Sequence, residues 1–96
     1  MDTVEQLHRE LEDCIGSITA AGLGNLNLQH IETLDAISAD AAALGMNQGK
    51  KLIDNFASVL RSFKEGKSPA ESVSLRLTAL NFYLKNTRDA AATEEL

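Results

Sequence analysis

Apolar residues recur every three or four positions along most of the chain, which is the spacing of one face of an α-helix. Four such segments are separated by short polar or glycine-containing links. They predict helices over 3–21, 28–44, 48–65 and 69–88. Because short links favour antiparallel neighbours, the pattern predicts an all-α, up-down-up-down four-helix bundle.

Capping residues and glycines mark the expected ends of these helices. Gly45 follows the second segment, and glycine enters the left-handed conformation that ends a helix without strain. Asn27 and Asn47 are suited to cap the second and third helices. The stretch "SPAE" at 68–71 has the form of a capping box with proline at the first helical position, and it predicts the start of the fourth helix.

Composition limits the fold and the expected location of the protein. A chain of 96 residues fits one domain, here 1–89, followed by a tail over 90–96 that we expect to be disordered. No apolar run approaches the roughly 20 residues needed to cross a bilayer, and no secretory signal pattern is present. The single cysteine, Cys14, allows no internal disulfide. We therefore expect a cytoplasmic protein that does not bind membranes.

Charge is distributed unevenly between the two halves of the chain. Residues 1–45 carry eight acidic side chains and one basic one, whereas residues 46–89 carry eight basic and four acidic ones. The net charge of −5 argues against nucleic-acid binding, which depends on contacts with phosphates. The basic residues are also not interleaved with aromatic ones, so we favour an acidic half packed beside a basic half.

The fourth helix carries apolar residues on two sides. Leu75 and Phe82 are seven positions apart, so they share one side of the helix, nearly opposite the stripe from Val73 to Leu84. A four-helix bundle does not easily bury both sides of one member. Leu75 and Phe82, with Ala79, are therefore predicted to form a patch for self-association or for a partner protein.

A second candidate surface lies in the stretch "LDAISADAAALGM" at 34–46. Asp35 falls on the solvent side of the second helix, and the small residues Ser38, Ala39 and Ala42 follow it at helical spacing. The result is a flat surface with one projecting carboxylate. Such a surface is suited either to close packing inside the bundle or to shallow docking of a partner.

Residues 34–60, "LDAISADAAALGMNQGKKLIDNFASVL", resemble the signature region of histidine-containing phosphotransfer domains. Ile37 matches the signature leucine, residues 41–43 match its small residues, and Leu44–Gly45 match its terminal pair. Ala39 replaces the signature glycine, and Ser38 replaces the signature lysine.

The resemblance implies a helical bundle that docks signalling proteins. Asp35 stands where the phosphorylatable histidine would be, and a carboxylate does not replace an imidazole nitrogen as phosphoryl carrier. What the resemblance implies here is therefore a degenerate form that docks a partner without passing on phosphate.

Other reactive side chains do not assemble into a catalytic pattern. His30 lies near the apolar arc of the second helix, where a boundary role is more common than nucleophilic chemistry. His8 lies between Glu5 and Glu12 at helical spacing, which favours a surface ion pair. The histidines and Cys14 lack metal-ligand spacing, and no glycine-rich phosphate loop follows a strand. We expect no metal, cofactor or small-molecule substrate.

Three functions remain open from the sequence. The first is a non-catalytic protein–protein interaction module, in the form of a degenerate phosphotransfer-like domain that regulates a signalling partner. Its predicted partner-binding residues are Asp35, Ser38, Ala39, Ala42, Leu75 and Phe82. The second is a working phosphorelay protein with His30 as phosphoacceptor, and the third is a homo-oligomeric bundle joined through Leu75 and Phe82.

Overall fold

A computed structural model describes the backbone of residues 4–94 and the side chains of residues 4–86. It contains α1 (Val4–Ala21), α2 (Leu28–Ala43), α3 (Asn47–Lys64) and α4 (Ala70–Glu94), with a short 3₁₀ turn between α1 and α2. No strand occurs between residues 4 and 94. The predicted all-α bundle of four helices is confirmed.

The ends of α2 and α3 are closed by glycines in the left-handed conformation. Gly45 has φ 78° and Gly66 has φ 77°, a region that side chains with a Cβ rarely adopt. After α2, the amide of Met46 donates to the Ala41 carbonyl at 2.9 Å and that of Gly45 to the Ala42 carbonyl at 3.1 Å. This pair of bonds defines a Schellman motif, which satisfies carbonyls that the helix itself leaves open.

The starts of α2 and α3 differ from one another. Asn27 caps α2 as predicted, because its side chain accepts a hydrogen bond from the His30 amide. Asn47, in contrast, is the first residue of α3 and not its cap. The cap position is taken by Met46, which makes no side-chain capping bond, so the predicted role of Asn47 was wrong.

The helix α4 is longer than predicted. It begins at Ala70 and continues to Glu94, six residues past its predicted end. Residues 90–92 are three alanines, which have the highest helix propensity and supply no stop signal. Disorder of the tail over 90–96 stays a prediction, and residues 95–96 lie outside the described part of the chain.

The closest helix neighbours are consecutive along the chain, so that α3 lies against both α2 and α4 while α1 lies against α2. Asp35 and Ser38 of α2 bond to Arg61 and Asp54 of α3, respectively. The α3 partner number falls as the α2 number rises, which shows that these two helices are antiparallel. The described chain measures 45 × 22 × 21 Å.

One continuous apolar core joins the four helices. Phe56 of α3 is completely buried and is the one aromatic side chain among the buried core residues of the described chain. The most deeply buried large residues are Leu7, Leu11, Ile31, Leu34, Ile37, Ile53, Phe56, Leu60 and Leu80. Because α4 contributes Leu80 to this core, its opposite side faces away from the bundle.

Candidate interaction surfaces

The outer face of α2 is smaller than the sequence predicts. Asp35, Ala39 and Ala42 are exposed as expected, and we call these three residues the α2 outer face. Ser38 does not belong to it, because only 3% of its surface is exposed. Position 38 lies four residues after Leu34 and three before Ala41, both of which are buried, so its side chain turns toward α3.

Asp35 does not project as a lone carboxylate, which corrects the sequence interpretation. Arg61 of α3 donates to both of its oxygens, with Nη1 at 3.4 Å from Oδ1 and a shorter contact from Nη2 to Oδ2. This hydrogen bonding raises the pKa of the Arg61 guanidinium above its already high ordinary value. The carboxylate therefore serves first to join α2 to α3.

Ser38 belongs to a second polar link between the same helices. Its hydroxyl donates to Oδ1 of Asp54 at 2.5 Å, and Nζ of Lys50 donates to Oδ2 of the same carboxylate at 2.5 Å. The bond from Lys50, followed by that from Ser38, lowers the pKa of Asp54 below its ordinary value. The sequence interpretation missed this link, although Lys50 and Asp54 stand at the helical ion-pair spacing of four.

His30, the alternative phosphoacceptor, is half-buried where α2 begins. Its Nδ1 accepts a hydrogen bond from the Asn27 amide at 3.5 Å, which completes the capping box of α2. Its carbonyl accepts a weak bond from Sγ of Cys14 at 3.7 Å. These contacts give His30 a structural role, and its use as a phosphoacceptor stays a prediction.

Cys14 and His8 both lie inside the bundle. Burial raises the pKa of the Cys14 thiol, which disfavours the reactive thiolate. His8 is only 7% exposed, so the predicted surface position was wrong. In helical projection it lies about 20° from Ile15, a core residue, and therefore on the buried side of α1. Within residues 4–86, no three His, Cys, Asp or Glu side chains group as metal ligands.

The side of α4 that faces away from the core carries two large apolar side chains. Leu75 and Phe82 are each 68% exposed, and Ala79 between them is also exposed. Val73 and Leu80, on the other side of the same helix, are buried. We call Leu75, Ala79 and Phe82 the α4 outer face; the sequence correctly predicted its exposure.

An open cleft of about 330 Å³ runs beside this face, between α3 and α4. Its walls are mostly hydroxyl and amide groups, with Leu75 at one margin and Arg76 as its single charged residue. The lining consists of Asn55, Ser58, Val59, Ser62, Ser68, Ser72, Leu75 and Arg76. Because it is polar and shallow, it is not a pocket that encloses an apolar small molecule.

Gly49 of α3 lies in close contact with Tyr83 of α4. A Cβ atom placed on Gly49 of α3 would lie 2.9 Å from Oη of Tyr83 and 3.2 Å from its ring carbons. A Cβ at position 49 would therefore force the Tyr83 side chain to shift.

No family model, no curated protein and no solved structure matches this chain. The helices described for residues 4–94 also include none with the length and apolar character needed to cross a membrane.

Proposed function

We propose that this protein is a non-catalytic protein–protein interaction module that binds its partner through the α4 outer face. The observation that carries the proposal is the exposure of Leu75 and Phe82 on the same side of one helix. Among the side chains described, these two are the most exposed large apolar ones. Both leave apolar area in water that a bound partner would cover.

Covering this face supplies a useful part of a binding energy. Full burial of a leucine or phenylalanine side chain gains about 1.5–3 kcal/mol. Since about two-thirds of each side chain is still exposed, covering Leu75 and Phe82 together would gain roughly 2–4 kcal/mol. Aromatic anchors of this kind also dominate many measured interfaces, which makes Phe82 the leading residue of the proposed site.

The α2 outer face is not the proposed binding site. Its carboxylate, Asp35, is already bonded to Arg61, and the neighbouring Ser38 is buried against Asp54. A signalling setting, in which the module regulates its partner by docking, is part of the proposal only as what the sequence resemblance implies. Nothing in the proposal requires transfer of phosphate.

Photo-crosslinking at single positions tests the proposal. Benzoyl-phenylalanine would replace Phe82 in one variant and Ala39, on the α2 outer face, in a matched control, in cells that make the protein. We expect one defined crosslinked product from position 82, identified by mass spectrometry, and none from position 39. Equal labelling at both positions, or no product at position 82, would overturn the proposal.

A further inference from the structure

The exposed side of α4 has an ordered sequence of chemical groups along its length. Helical projection places Glu71, Leu75 and Phe82 within about 40° of one another, with Lys85 at the margin of the same stripe. All four are exposed. Among the described side chains, the stripe therefore runs from an acidic group through two large apolar groups to a basic group, spread over about 21 Å of helix.

This order is complementary to itself when a second α4 runs in the opposite direction. If the midpoint lies between Thr78 and Ala79, position 75 faces position 82 of the other copy. Position 71 then faces position 86 of the other copy. Lys85 lies one residue away, about 1.5 Å along the helix axis, so Glu71 and Lys85 stand beside each other on the same edge of the contact. Both apolar groups and both charges find partners of suitable chemistry, and each pairing occurs twice.

The midpoint of the stripe is suited to close approach of two helices. Ala79 is small, and Thr78 presents little more than a methyl group because its hydroxyl is already used. That hydroxyl donates to the Ser74 carbonyl of its own helix at 2.9 Å. Covering Thr78 would thus leave no hydroxyl donor without an acceptor, which removes the usual cost of burying a polar side chain.

We infer that the partner of the α4 outer face is a second copy of this chain, bound as a two-fold symmetric antiparallel pair of α4 helices. The inference rests on the proposed function and names its partner. Charge complementarity favours this occupant, since the stripe supplies both the acidic and the basic end that its own copy requires. An unrelated protein would have to match the same order of groups independently.

The contact is expected to be weak. One helix pair buries less than the roughly 800 Å² per partner of a standard stable interface. We therefore expect a dimer with a dissociation constant on the order of 100 µM, populated at high local concentration.

Charge exchange at the two ends of the stripe tests the pairing. Glu71→Lys and Lys85→Glu, each alone, should weaken dimerisation by about 2- to 30-fold, because two ion pairs become like-charge contacts. The double variant restores opposite charges and should return to within about threefold of the original chain. Glu5→Lys on α1 makes the same charge change as Glu71→Lys at a distant exposed site and should leave dimerisation unchanged.

Disulfide trapping tests the direction of the helices. Ala79→Cys lies beside the two-fold axis and should form a crosslinked dimer on mild oxidation. Leu75→Cys should not form this crosslink, because in the antiparallel pair its two copies are about 10 Å apart along the helix axis. Ala42→Cys, an exposed alanine on the α2 outer face, is the matched control, and the unchanged chain controls for the buried Cys14.

The outcomes separate this inference from the proposed function. A dimer restored by the double charge variant and trapped at position 79 supports the antiparallel pair. A chain that stays monomeric at millimolar concentration, or a dimer trapped at position 75 or 42 instead, overturns it. If the position-82 crosslink joins a different protein while the purified chain stays monomeric, the self-pairing is wrong and the proposed function stands.

Discussion

The outer faces of α2 and α4 are both exposed, but the rest of the molecule uses them differently. On α2, the polar group at the surface is bonded to a neighbouring helix, through Arg61 and Asp35. On α4, two large apolar side chains, Leu75 and Phe82, remain mostly exposed. The first face contributes to holding the bundle together, and the second leaves large apolar side chains exposed.

The difference shows which surface features point to function. Small side chains such as Ala39 and Ala42 have little apolar area to hide, so their exposure costs the folded protein little. Exposed leucine and phenylalanine leave a larger apolar area in water, so covering them gains more free energy. The size of the exposed side chains therefore separates the two candidates more clearly than their location on the outside.

The largest predicted contrast is between the two sides of α4. Leu80→Ala should lower the free energy of unfolding by about 2–5 kcal/mol, because it opens a cavity in a completely buried site. Phe82→Ala, although it removes a larger side chain, should change it by less than about 0.5 kcal/mol in dilute solution. Urea unfolding followed by circular dichroism measures both.

The effect of Phe82→Ala has meaning only in comparison with that of Leu80→Ala. If Phe82→Ala destabilises the dilute monomer as much as Leu80→Ala does, Phe82 is part of the core. The α4 outer face would then no longer be a free surface.

The next contrast concerns the close contact between Gly49 and Tyr83. Gly49→Ala should destabilise the protein by about 1 kcal/mol, because the added Cβ meets Tyr83 and overpacking outweighs the gain in helix propensity. Gly16→Ala is the matched control, since nothing lies within 4 Å of its Cβ position on α1. It should instead stabilise by about 0.5–1 kcal/mol. Equal effects in thermal unfolding would show that the Tyr83 contact does not constrain α4.

The free energy of unfolding should depend on pH through Asp54, the carboxylate in the polar link with Ser38. The folded state lowers the pKa of Asp54, so its contribution is present above the unfolded value of about 3.9 and is lost as pH falls through the folded value. Asp54→Asn should be less stable at pH 7, by about 1 kcal/mol or less given its exposure, and the difference should shrink below about pH 4. Unfolding curves between pH 7 and pH 2 test this, and a constant difference would contradict it.

The smallest effect is expected at Asp35. Asp35→Ala should lower stability by about 0.5 kcal/mol, as is typical of an exposed ion pair, and should leave self-association unchanged. Adding Arg61→Ala should cost little more, because the two side chains act on each other. A loss of dimer with Asp35→Ala in sedimentation experiments would place the binding surface on α2.

Most of the fold could be predicted from the sequence. Spacing of apolar residues identified all four helices. Gly45 marked the end of α2, because the left-handed conformation found there favours glycine and the residue type is visible in the sequence. The end of α4 was harder to predict, since consecutive alanines neither stop a helix nor show apolar periodicity. Asn47 had the chemistry of a cap but stands inside the helix.

The candidate sites could be predicted only in part. Exposure of Leu75 and Phe82 followed from their position opposite the core stripe of the same helix. The partners of Asp35 and Ser38 could not be predicted, because each lies on another helix whose register depends on packing along its whole length. Local spacing fixes the direction of a side chain, and it does not fix what faces that side chain.

The central claim is that the α4 outer face is a binding surface whose occupant is a second copy of the chain. Sedimentation equilibrium of the original chain and of Phe82→Asp, from micromolar to millimolar concentration, tests it most directly. The weight-average mass of the original chain should rise from 10.3 kDa toward twice that value, while Phe82→Asp stays folded and remains at 10.3 kDa. A constant 10.3 kDa for the original chain, or equal association of the two proteins, would contradict the claim.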